Sequence, residues 1–77
     1  MNRTFKVCGR YRAREEQQPW SRGKPGLLAK KSVYTSLIDL DKYGPELIKR
    51  WSEMYFVEVF ELIDGKWVPY EFQGMEV

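Results

Sequence analysis

The chain has no histidine and one cysteine, Cys8. Without an imidazole, the commonest general base, the commonest metal ligand and every Ser/His or Cys/His nucleophilic pair are missing. One thiol cannot close an internal disulfide, and one thiol without imidazole cannot build a conventional zinc site. No cofactor and no metal are therefore expected, and a lone cysteine fits a reducing compartment. Long apolar runs are also missing, since a spanning helix needs about 20 consecutive apolar residues. The opening stretch MNRTFKVCGRYRAREEQQ has no apolar segment of the secretory type. These absences predict a cytoplasmic, non-enzymatic protein with no membrane partner.

Aromatic residues are plentiful, at 16% of 77 residues. A chain this short hides only about 60% of its unfolded surface, so it needs a dense core. One domain over residues 1–77 is the expectation. Charge is unevenly distributed. Residues 1–31 hold nine Lys/Arg and two acids (9 − 2 = +7), and residues 32–77 hold four Lys/Arg and nine acids (4 − 9 = −5). Either the halves neutralise each other in the fold or the basic half faces a polyanion.

Most of the apolar mass lies between Met54 and Phe72, MYFVEVFELIDGKWVPYEF. Asp64-Gly65 between two aromatic, β-branched runs predicts a hairpin with a type I′ turn. Its register sets Ile63 against Lys66, Leu62 against Trp67, Phe60 against Pro69 and Glu58 against Glu71. One face then carries Tyr55, Val57, Val59, Val68, Tyr70 and Phe72, and is the expected core side. The other carries Phe56, Phe60, Leu62, Trp67 and Pro69, with Glu58 and Glu71 facing each other. Like charges opposite each other are unfavourable without a cation between them. Pro69 has no N–H to donate, so the last strand must lie at an edge.

Thr4 to Arg12 alternates as a strand, with Phe5, Val7, Gly9 and Tyr11 on one side and Lys6, Cys8, Arg10 and Arg12 on the other. Pairing beside Met54–Ile63 would bring Lys6 or Arg10 to Glu58 and Glu71. Ala13 to Gly26, AREEQQPWSRGKPG, reads as a long basic loop around Trp20. It lacks P-loop spacing. Leu27 to Ser36 reads as a second strand, with Lys30-Lys31 at a tip or bulge. Ser36 to Glu53 is the one helical stretch, with Leu37, Leu40, Tyr43, Leu47, Ile48 and Trp51 at helical spacing. Pro45 is expected to split it into a turn at Leu37–Asp41 and a short helix from Pro45 to about Glu53.

The order strand, loop, strand, helix, hairpin predicts an α+β domain: a small, mostly antiparallel sheet with one short helix on one face. One helix cannot cover both faces, so Phe56, Phe60, Leu62 and Trp67 are expected to remain uncovered and to meet a protein partner or a second copy. That describes a small accessory or inhibitor-type protein of the kind encoded by phages and mobile elements. The alternative is nucleic-acid binding by Arg10, Arg12, Arg14, Arg22, Lys24, Lys30 and Lys31, with Trp20 or Tyr11 stacking.

Overall fold

The computed structural model describes residues 3–20 and 22–72. Strand β1 (Phe5–Tyr11) leads through a 3-10 turn (Arg14–Glu16) to β2 (Leu28–Tyr34), helix α1 (Leu37–Trp51), β3 (Tyr55–Ile63) and β4 (Lys66–Pro69). The strands form one antiparallel sheet in the order β2-β1-β3-β4. This is the expected α+β arrangement, with α1 packed against one face.

The hairpin closes as its sequence dictates. Asp64 and Gly65 both have positive φ, 50° and 77°, as a type I′ turn requires. That sets Ile63 against Lys66, Leu62 against Trp67, Glu61 against Val68 and Phe60 against Pro69. Strand β4 is an edge, so the missing N–H of Pro69 leaves no gap in the sheet. The ladder ends there. Tyr70 N–H still donates to the Val59 carbonyl at 2.9 Å, and Glu71 stands exposed beyond the strand end.

Strand β1 joins the hairpin through β3, pairing Phe5 with Glu61, Val7 with Val59, Cys8 with Glu58 and Arg10 with Phe56. The odd-numbered residues of both strands share the helix side. There Phe5, Val7, Val57, Val59 and Phe72 enclose Leu40 and Ile48 of α1, with Tyr34, Leu37, Leu47, Trp51 and Tyr70 around them. Each such side chain removed from water contributes about 1.5–3 kcal/mol. Val68, placed with the core face by its register, is 39% exposed because it lies on the edge strand.

The helix departs from its expected form. It runs unbroken for 15 residues from Leu37 to Trp51, with Pro45 inside. Ser36 caps it, its Oγ accepting the Asp39 N–H at 3.1 Å. A proline obstructs a helical residue before it in part through that residue's Cβ, and Gly44 has none. Gly44 is also needed for packing, because a Cβ there would stand 3.1 Å from Leu40 Cδ1 and 3.4 Å from the Phe72 ring. Burial falls on Leu40, Gly44 and Ile48, one line at four-residue intervals. Tyr43 lies off that line and is exposed, as is Ile38.

Strand β2 carries one irregularity. Gly9 pairs with Lys30 but Arg10 pairs with Leu28, so Ala29 is the extra residue of a bulge. Lys30 and Lys31 themselves sit in the regular ladder.

Candidate functional site: the uncovered sheet face

The even-numbered residues of β1 and β3 form the face away from α1. The register lays them out in rows: Val33, Lys6, Phe60 and Pro69 in one, Lys31, Cys8 and Glu58 in the next, then Arg10 with Phe56. Leu62 and Trp67 form a further row toward the hairpin turn. Phe56 is 60% exposed, Trp67 38% and Leu62 39%, while Phe60 is half-buried. No element of the described residues packs over them, since α1 lies on the other side. Trp20, the obvious candidate for a cover, is itself 77% exposed.

Cations are set among these rings. The Lys6 ammonium lies 4.5 Å from the Trp67 ring centroid and 5.3 Å from that of Phe60, within cation–π range of both. Arg10 Nε donates to Glu58 Oε1 at 3.1 Å, and its Nη1 donates to the Gly26 carbonyl at 3.1 Å. Arg10 thus supplies the cation that Glu58 needs, and Glu58 does not form a carboxylate pair with Glu71 across a continuous ladder. Cys8, between Lys31 and Glu58, is only 1% exposed because longer side chains surround it. With Lys6, Arg10 and Lys31 against Glu58, the face carries 3 − 1 = +2.

The basic residues of the N-terminal half do not form one surface. Arg10 and Lys31 share the uncovered face. Lys30 lies beside Gly9 on the helix side, and Arg12 Nη2 donates to the Ser52 carbonyl just past the end of α1. Arg14 and Arg22 line a separate cleft in the 13–26 loop, while Lys24 and Trp20 are exposed nearby. Tyr11 is turned edge-on to Tyr55, with ring centroids 5.8 Å apart, and is not free to stack on a ligand from that side.

Sequence reasoning selected Phe56, Phe60, Leu62 and Trp67, and the structure brings all four to one face. It expected Lys6 or Arg10 of β1 near Glu58 on that face, where both now lie, and it overlooked Val33 and the contact of Lys6 with the Phe60 and Trp67 rings. The register of β1 against β2 and β3 brings them in, and the hairpin alone does not fix that register. Comparison with protein-family models, curated proteins and solved structures gave no match.

Proposed function

We propose that this protein is a non-enzymatic binding module that docks a protein partner on its uncovered sheet face. It would be an accessory or inhibitor-type protein of the kind that phages and mobile elements encode. The observation that carries this reading is that Phe56, Phe60, Leu62 and Trp67 all lie on the one uncovered sheet face, Phe56 60% exposed at one end of it and Leu62 and Trp67 toward the hairpin turn at the other. An exposed apolar surface of this kind is a liability unless something covers it. Trp67 and Arg10 on this face are of the residue types enriched at interface hot spots. Lys6, Arg10 and Lys31 favour a partner with carboxylates at the rim of an apolar centre. Stacking on bases is less well served, because the Lys6 ammonium already lies over the Trp67 and Phe60 rings.

The test is site-directed photocrosslinking in the cells that produce the protein, with a photoreactive phenylalanine at position 56, at 67, or at 42 on the exposed helix side. The expected result is one protein trapped from 56 and 67 but not from 42. Binding of that purified protein should fall at least about tenfold with Phe56→Ser. Trapping only a second copy of the chain would make the face a self-association surface. Equal trapping from all three positions, or nucleic acid alone, would overturn the reading.

A further inference from the structure

The basic loop between β1 and β2 is held in one shape by its own side chains. The Gln17 amide nitrogen donates to the carbonyls of Arg12 at 2.8 Å and Gly23 at 2.7 Å, and its oxygen accepts the Gly23 N–H at 3.0 Å. One side chain thereby clamps two backbone positions 11 residues apart (23 − 12 = 11). The clamp rests on the sheet. Gly23 packs on the Tyr11 ring too closely to leave room for a side chain. Tyr11 N–H donates to Leu27 O, and Gly26 N–H donates to Tyr11 O, each at 3.0 Å.

This frame holds a cleft of about 340 Å³ lined by Arg14, Gln17, Arg22 and Gly23. Neither guanidinium has a hydrogen bond or ion pair with any described residue. Glu15 and Glu16, in the same 3-10 turn, are exposed and do not line the cleft. Two like charges around one cleft repel each other until an anion lies between them. A guanidinium offers a planar fork of N–H donors that matches phosphate oxygens two at a time.

We propose that the Arg14–Arg22 cleft binds a phosphate group. The cleft is larger than one phosphate ion, which leaves room for the rest of a phosphate ester. Free nucleotides and the ends of nucleic-acid strands share that chemistry. The site is distinct from the uncovered sheet face and does not depend on its function.

The test is a titration of isotopically labelled protein with inorganic phosphate at constant ionic strength, reading the Gly23 backbone amide and the Gln17 side-chain amide by NMR. Saturable shifts confined to the loop are expected. Arg14→Gln and Arg22→Gln should each weaken binding by about tenfold, the loss of one charge-assisted hydrogen-bonding group. Lys24→Gln removes the same charge close by without touching the cleft, and should leave binding within about twofold. Spectra of the free variants report whether the clamp is intact. Thymidine 5′-monophosphate and a 5′-phosphorylated oligothymidylate then separate the two sources. Tightest binding of the monophosphate identifies a nucleotide, and tightest binding of the oligomer identifies a strand end. Shifts that never saturate, or that survive both arginine substitutions, would mean an adventitious ion only. A Lys24→Gln effect as large as that of Arg22→Gln would reduce the binding to diffuse charge. Any of these results overturns the proposal.

Discussion

At the scale of single residues, Gly44 decides what the helix can be. A Cβ at this position would improve helix propensity by about 1 kcal/mol. It would also meet Leu40 Cδ1 at 3.1 Å and the Phe72 ring at 3.4 Å, both side chains being buried, and would crowd the ring of Pro45. Overpacking a closed core costs about 1–3 kcal/mol, so packing outweighs propensity. Gly44→Ala is expected to destabilise the protein by roughly 1 kcal/mol, read as a lowered urea midpoint at unchanged slope. A raised midpoint would show that Leu40 and Phe72 yield and that the glycine serves only the pre-proline backbone.

At the scale of elements, the start of the chain is tied to the sheet by one forked contact. Arg3 Nε and Nη2 donate to Glu61 Oε2 and Oε1 at 2.8 and 3.1 Å, and the guanidinium lies over the Phe5 and Tyr70 rings. Arg3 holds the Glu61 carboxyl below its ordinary range, chiefly through this hydrogen bond, and Glu61 in turn raises Arg3. A carboxyl lowered by folding stabilises the protein above its unfolded pKa, about 4.3, and loses that contribution as pH falls through its folded value. Glu61→Gln should therefore lower stability at pH 7 and flatten the acid limb of a stability-against-pH curve measured by urea unfolding. An acid limb as steep as that of the native protein would assign acid lability to other carboxylates. The edges show the same economy of means: β4 is short and carries Pro69, and β2 carries Lys30 and Lys31, both devices that discourage further strand pairing.

At the scale of the whole molecule, one sheet and one helix leave one sheet face uncovered. The thinnest dimension, 17 Å, has room for those two layers alone. The charge asymmetry of the sequence is partly neutralised between the two halves, by Arg3 with Glu61 and Arg10 with Glu58. These pairs are partly exposed and bring modest stability, so their larger effect is on register. Cys8 tests how far the sheet acts as one unit. It lies in β1, bonded on both sides to β2 and β3, and it is shielded even though it faces away from the helix. Its reaction with a thiol reagent should be slow in native buffer and should follow the global unfolding free energy as urea is added. Labelling that is fast and independent of denaturant would show that the uncovered face opens locally.

The sequence by itself determined whatever depends on neighbours along the chain. Asp64-Gly65 set the turn, the turn set the hairpin register, and the register placed Phe56, Phe60, Leu62 and Trp67 together and required Pro69 to lie at an edge. Tertiary structure decided what depends on residues far apart. Helix α1 runs on through Pro45 while Leu40, Gly44 and Ile48 pack as one buried line, and Tyr43, at a helical spacing, is exposed because it lies off that line. The partner of Glu58 was narrowed by sequence to a cation of β1, and only the β1–β3 register selected Arg10 while sending Lys6 to the rings of Phe60 and Trp67. The Gln17 clamp carries no signature in the sequence, because its partners are backbone atoms that any residue supplies. They come within its reach only once β1 and β2 have paired.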